Sequence, residues 1–292
     1  MPSILGIDLG GTKTALARYD AETWERQEHE IMSTNAARGF PKVFENIIET
    51  AQRLCAEDTI ACGMGVPGLV AQPAGIIRTL PNIPGAEGFA LKKELAKRLG
   101  KPVAVDNDSN CFALAEALRG AGKWHDVVAS LTLGTGVGGG LVIDGKIFHG
   151  SHGYAAEFGH MLLRPGQPPF PTGDLRGDAE QFLSGSAMGR RCQEAKSPEE
   201  YLEGETCEFM HDDLYRELSW LLVNLIHTID PSIVVIGGSA GRALKPHLRG
   251  IQKELKNWLL PETPLPEIAF AQLPDAAVLG AAMLMRYEMR QL

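Results

Sequence analysis

At 292 residues, with 44% apolar and 22% charged residues, the chain has the length of about two domains and can build a core that needs no metal or disulfide as a staple. Its 28 basic and 36 acidic residues leave a net charge of -8 and form no Lys/Arg cluster, which excludes a nucleic-acid surface. Residues 218–236 are broken by Asn224, His227, Asp230 and Pro231, which argues against a membrane span. The five cysteines (Cys55, Cys62, Cys111, Cys192, Cys207) show no zinc spacing and are expected as reduced, mostly buried thiols in the cytoplasm.

From Ile4 the chain reads as strand, Gly-Gly turn and strand, a β-hairpin with Asp8 just before Gly10-Gly11-Thr12-Lys13, and no signal peptide is expected. Residues 40–56 have helical spacing, with Val43, Ile47, Ile48, Ala51 and Leu54 on one face. A buried strand over 61–68 ends in Gly65-Val66-Pro67-Gly68, and a second helix is predicted over 88–99. The short apolar strand Pro102-Val103-Ala104-Val105 then runs into Asp106-Asn107-Asp108-Ser109-Asn110, followed by a helix over 111–118.

A second Gly-rich hairpin has strands at 127–133 and 141–143 around Gly134-Thr135-Gly136-Val137-Gly138-Gly139-Gly140. Gly134-x-Gly136-x-x-Gly139 formally matches a dinucleotide fingerprint, but a strand follows where a helix must open, so that reading is rejected. Residues 151–185 read as loop, residues 212–229 as a strong helix, and Ile233-Val234-Val235-Ile236 as a buried strand before Gly237-Gly238. A terminal helix is predicted over about 276–290. The two halves repeat one layout, a Gly-turn hairpin and then alternating helices and strands. This predicts an α/β fold of two lobes around a cleft, residues 1–110 with 276–292 as a small lobe and 111–275 as a larger one.

The polar stretch at 106–110 stands at a strand end, where α/β proteins place their chemistry. Asp108 is the candidate general base for removing a proton from a hydroxyl, Asp106 is the competing carboxylate, and Asn107 can orient a hydroxyl. The Gly turns can curl backbone N–H groups round phosphates, and Asp8 suits a hydrated Mg²⁺. Glu157 and His160 lie three apart in a Gly-flanked loop. Asp174 and Asp178 read as solvated loop charges, and His227 as a core histidine.

Taken together, these motifs resemble the ROK family of sugar kinases, within the actin/hexokinase/Hsp70 ATPase superfamily. The resemblance runs along nearly the whole chain through Asp8 to Lys13, Gly65 to Gly68, Asn107 to Cys111, Leu133 to Gly140, Glu157 to His160 and Ile236 to Gly238. It implies a two-lobed actin-like ATPase (ribonuclease H-like) fold. It implies transfer of the ATP γ-phosphate to the 6-hydroxyl of a hexose or N-acetylhexosamine, N-acetylglucosamine or glucose first, with fructose or N-acetylmannosamine as alternatives. A non-catalytic sugar-sensing regulator is the alternative of another class.

By the same resemblance Asp108 is the base, and Gly68, Asn107, Glu157, His160 and Glu180 contact the sugar. Asp8, Gly10, Gly11, Thr12, Lys13, Gly134, Thr135, Gly136, Gly138, Gly237 and Gly238 hold ATP, with Asp8 on its Mg²⁺. The partners implied are sugar and ATP, with no nucleic acid or membrane, in a homodimer. Many members carry a C-x-C-G-x-x-G-C zinc motif just after the segment that matches His160, and in them the metal also holds that histidine. Residues 164–179 contain no cysteine here, so no structural zinc is expected, and the prolines of this interval are expected to do part of the holding.

Overall fold

The computed structural model describes residues 1–288 and divides into two compact units. The first comprises Met1–Leu118, Ile147–Ala155 and the chain from Leu273; the second comprises Arg119–Lys146 and Ala156–Gln272.

In the first unit, β1 (Ser3–Leu9) and β2 (Lys13–Asp20) form the expected hairpin, with Leu9 opposite Thr14. Strand β3 (Arg26–Ser33) adds to β2 as an edge. Its sequence, RQEHEIMS, has no apolar alternation, so it gave no strand signal; its charged residues suit an unpaired edge. Helix α1 (Phe40–Leu54) buries the predicted face. Strand β4 (Thr59–Val66) pairs in parallel with β1, and the small hairpin of β5 (Leu69–Ala71) and β6 (Ile76–Thr79) follows. Helix α2 (Leu91–Leu99) starts three residues later than expected, because Gly88 has φ +76° and cannot lie in a right-handed helix. Strand β7 (Val103–Asn107) closes the sheet order β3-β2-β1-β4-β7 and leads directly into α3 (Asp108–Arg119).

In the second unit, β8 (Val127–Leu133) and β9 (Val137–Ile143) are joined by the second Gly turn, and the short β10 (Lys146–Ile147) follows after Asp144-Gly145, where the chain passes back to the first unit. The stretch expected as loop holds α4 (Ala179–Leu183), and α5 (Gly185–Arg191) begins at its end. Helix α6 (Pro198–Leu202) precedes the long α7 (His211–Ile229), which ends at Asp230 in the left-handed region. Strand β11 (Ile233–Gly237), α8 (Gly238–Ala243), α9 (Leu248–Leu255) and β12 (Glu267–Phe270) complete the unit. Its sheet order, β10-β9-β8-β11-β12, repeats that of the first. In both, an antiparallel hairpin is extended by two parallel strands.

The chain then returns to the first unit as α10 (Ala276–Met283) and α11 (Met285–Glu288). The predicted terminal helix is thus interrupted at Leu284, and positions 289 and 290 of that prediction lie outside the described residues. Helix α10 lies against α3 so closely that a Cβ on Gly280 would meet the Cys111 carbonyl oxygen at 1.7 Å. This packing keeps α3 in the first unit. Each unit has its own core, one around Ile7, Phe40, Ile47 and Met64 and the other around Leu131, Phe182, Leu218 and Val234. Burying each such side chain contributes roughly 1.5–3 kcal/mol.

Two expectations are corrected here. Cys192 and Cys207 form a disulfide across α6, because the turns at either end bring their Cα atoms to 6.0 Å; only Cys55, Cys62 and Cys111 are free thiols. His227 is exposed, since it falls on the solvent side of α7 while Leu225 and Ile226 turn inward.

Candidate functional site

In the first unit the candidates gather at the C-terminal ends of β1, β4 and β7. Asp106, the last buried residue of β7, has both oxygens engaged. Oδ1 accepts from the Asn107 N–H at 2.8 Å and from Asn110 Nδ2 at 2.9 Å, and Oδ2 accepts from His149 Nε2 at 2.6 Å. The hydrogen bond to Asp106 raises the His149 pKa against the effect of burial. Asn107 caps α3: its Oδ1 accepts from the N–H groups of Ser109 and Asn110, and its Nδ2 donates to the Gly68 carbonyl at 3.1 Å. Capping of α3 therefore falls to Asn107. Asp108 is the first residue of α3, half-buried, and accepts from its neighbour Ser109.

Asp8 lies at the end of β1. Burial and the charge of Asp108 push its carboxyl up to about 7. Its Oδ1 is shielded from solvent and has no hydrogen-bond partner. A shielded carboxylate oxygen of this kind fits the Mg²⁺ of a nucleotide, which takes one or two protein carboxylates with phosphate oxygens. Among the described residues, no group of three or more His, Cys, Asp or Glu could hold a metal ion. The Gly10–Lys13 turn closes through Gly10 N–H to the Lys13 carbonyl, 3.0 Å. Thr34, buried, donates to the Gly10 carbonyl at 2.7 Å.

Sequence reasoning missed Thr34 and His149. Thr34 stands alone after a polar strand and offers no pattern. His149 follows a two-residue strand and meets Asp106 only in three dimensions. It also lines a cavity of about 570 Å³ with Val70, Gln72, Arg78 and Tyr154.

In the second unit the Gly134–Gly138 turn is braced from behind. Gly185 N–H donates to the Gly134 carbonyl at 2.7 Å, and Glu180 Oε2 accepts from Val137 N–H at 3.0 Å. Glu180, expected as a sugar contact, thus supports the second Gly turn with one oxygen. Gly238, at φ +82°, lies so close to β8 that a Cβ would meet the Leu133 carbonyl oxygen at 2.3 Å, which sets the Gly237-Gly238 motif beside that turn.

Glu157, His160 and Glu180 interact electrostatically: burial pushes the Glu157 carboxyl up, His160 opposes this and Glu180 reinforces it. His160 Nδ1 lies 3.1 Å from Asp178 Oδ2, and Arg176 Nη1 lies 3.3 Å from the same oxygen. Asp178 is fully buried, so the expectation of a solvated charge is corrected: it is enclosed because it caps α4 through the Gln181 N–H. Asp174 remains on the surface side, bound to Arg176. Side chains of Asp178 and Arg176 therefore meet His160 where no cysteine or metal motif exists.

Comparison with known proteins accords with this arrangement. The ROK family profile matches residues 4–288. The chain is 34% identical to N-acetyl-D-glucosamine kinase of Erwinia tasmaniensis over 96% of its own length and 98% of the relative's. It is 31% identical to glucokinase of Thermotoga maritima, over 97% of each. The structure of a ROK family glucokinase from Streptomyces griseus, in complex with glucose and AMPPNP, superposes with a TM-score of 0.79 at 30% identity, covering 98% of this chain and 99% of that one. The fold is the two-lobed actin-like ATPase fold, and the chain belongs to the ROK family.

Proposed function

We propose that the chain is an ATP- and Mg²⁺-dependent kinase that phosphorylates the 6-hydroxyl of a hexose or N-acetylhexosamine, N-acetylglucosamine or glucose before other sugars. The observation that carries this reading is the contrast between two carboxylates two residues apart. Asp106 is buried and spends both oxygens on Asn107, Asn110 and His149. Asp108 is half-buried beside Asp8, at the strand end where a substrate hydroxyl can be met. Asp108 then takes the hydroxyl proton as the sugar oxygen attacks the γ-phosphorus of ATP, and the bond to the bridging oxygen of ADP breaks.

Asp8 would hold the Mg²⁺ of the nucleotide, whose charge offsets that of the phosphates. In such a transfer, positioning and electrostatics supply nearly all of the catalysis. The N–H groups of Gly10 to Lys13 and of Thr135 to Gly138 offer donors to the phosphates, with Gly237 and Gly238 beside the nucleoside. Gly68, Asn107, Glu157, His160 and Glu180 would read the sugar hydroxyls. The names of the relatives, glucokinase and N-acetyl-D-glucosamine kinase, support a sugar as acceptor, and the AMPPNP of the Streptomyces enzyme supports ATP as donor.

The test is a coupled ADP-release assay over glucose, N-acetylglucosamine, N-acetylmannosamine, mannose, fructose and allose, with and without Mg²⁺. Asp108→Asn is expected to lower kcat by about 10²–10⁴-fold with little change in sugar binding. Asp106→Asn is the control and should lose stability first. Near-normal turnover by Asp108→Asn would remove Asp108 as the base, and ADP release indifferent to every sugar would remove the kinase reading.

A further inference from the structure

We propose that Asp178 is a positioning residue that fixes which nitrogen of His160 carries the proton and so presents Nε2 as a hydrogen-bond acceptor for a sugar hydroxyl. The inference rests on the reading of His160 as a sugar contact. Asp178 Oδ2 lies 3.1 Å from His160 Nδ1, and the carboxylate is fully buried while the imidazole is about half-exposed. A carboxylate only accepts, so a neutral ring must place its proton on Nδ1 to make this bond, and Nε2 keeps the lone pair. Arg176 Nη1 lies 3.3 Å from the same oxygen and 3.4 Å from His160 Nδ1. A guanidinium only donates, so with the proton on Nδ1 its N–H goes to the Asp178 oxygen as a second donor; a proton on Nε2 would instead set the Nδ1 lone pair against the carboxylate at 3.1 Å.

The position of Asp178 is itself over-determined. Its other oxygen accepts from Gln181 N–H at 3.2 Å as the cap of α4, the helix that carries Glu180. Its backbone bridges to Leu162, and the next residue, Ala179, donates its N–H to the Met161 carbonyl at 2.9 Å. The segments directly after His160 and directly before Glu180 are therefore pinned together. One carboxylate sets the ring of one proposed sugar contact and the helix of another. A hydroxyl met by a lone pair must donate, which selects the rotamer of the sugar O–H. A ring free to exchange tautomers would not make that selection.

The test uses the full chain and separates capping from tautomer control. Asn and Ser are both good helix caps, so Asp178→Asn and Asp178→Ser keep α4 in place. Asn offers His160 a group that donates as well as accepts, and Ser is too short to reach it. Both variants are expected to raise the sugar KM by about tenfold, in the range of one lost buried hydrogen bond, with the ATP KM unchanged. The His160→Gln/Asp178→Asn double variant should be no worse than His160→Gln alone, because the two act as one unit.

Nitrogen-15 shifts of the His160 ring should show Nδ1–H in the parent and a mixture in Asp178→Asn. A parent ring protonated on Nε2, a ring unchanged by Asp178→Asn, or losses that add in the double variant would overturn the inference. A ring that changes as expected while His160→Gln leaves the sugar KM untouched would instead overturn the assignment of His160 to the sugar. That outcome also removes the functional half of the present proposal, leaving tautomer control alone.

Discussion

His149 Nε2 donates to Asp106 Oδ2 at 2.6 Å, joining the segment after β10 to the end of β7 within the first unit. The hydrogen bond raises the His149 pKa above its ordinary 6.5. A histidine whose folded pKa lies above its unfolded one adds stability that is fully present below the unfolded value and is lost as pH rises through the folded one. The gap in Tm between the parent and His149→Gln should therefore be widest near about pH 6 and narrow above the raised pKa. Thermal unfolding of both proteins across this range measures it. A gap that stays constant, or that widens toward alkaline pH, would show that the charge of His149 contributes nothing to the pairing.

Asp8 gives the opposite sign. Its carboxyl is raised from 3.8 to about 7, first by burial and then by Asp108. A carboxyl raised on folding favours the native state while it is protonated, and this stability is lost as pH climbs from the unfolded toward the folded pKa. Above about 7 the nucleotide-free protein carries the full cost of the shielded charge. Asp8→Asn removes that cost, so it should melt higher than the parent by a few degrees at about pH 8 and equally at about pH 4. On the proposed reading the parent is expected to melt higher with Mg²⁺ and ATP, and the same variant should lose that rise. Asp8 is thus expected to trade stability for function, and an Asp8→Asn variant that melts below the parent at alkaline pH would contradict this.

The Cys192–Cys207 disulfide closes a loop around α6 in the second unit, with a sequence separation of 15. Closing a loop of this length contributes about 3 kcal/mol through the unfolded chain. A dithiol reductant should lower the Tm of the parent and leave Cys192→Ser/Cys207→Ser unaffected. Thiol titration of the unreduced chain in denaturant should find the three thiols of Cys55, Cys62 and Cys111, rising to all five cysteines after reduction. A count of five before reduction would remove the bridge.

The sequence made the skeleton of each unit legible wherever pattern is local. The hairpins at Gly10-Gly11 and Gly134–Gly140 declare themselves by turn residues between apolar runs, and α1 and α7 by their spacing. What stayed hidden depends on contacts distant along the chain. Strand β3 exists because β2 offers it an edge, and the β5–β6 hairpin is too short for periodicity. Asp106 and Asp108 look equivalent on paper; they differ because His149, 43 residues away, engages only Asp106. Asp178 looked like a loop charge because neither the cap of α4 nor the partner at His160 can be read from a Pro- and Gly-rich interval. Cys192 and Cys207 carry no motif, and composition alone argued for thiols.

Thr34 provides a last test, at a residue the sequence left unmarked. Its Oγ1 donates to the Gly10 carbonyl at 2.7 Å, so its proton is spent there. The contact of 2.9 Å between Thr34 Oγ1 and Thr14 Oγ1 must then be a donation from Thr14. Thr34→Val keeps the shape but leaves both the Gly10 carbonyl and the Thr14 hydroxyl without this partner. Thr14→Val removes only one hydrogen bond. With both threonines fully buried, the first variant should lose about 1–3 kcal/mol and the second less. Because Gly10 opens the first Gly turn, Thr34→Val should also raise the KM for ATP several-fold while the sugar KM stays within about twofold. Equal losses from the two variants would mean that the hydroxyls are not ordered in this direction. A rise confined to the sugar KM would detach the first Gly turn from the nucleotide.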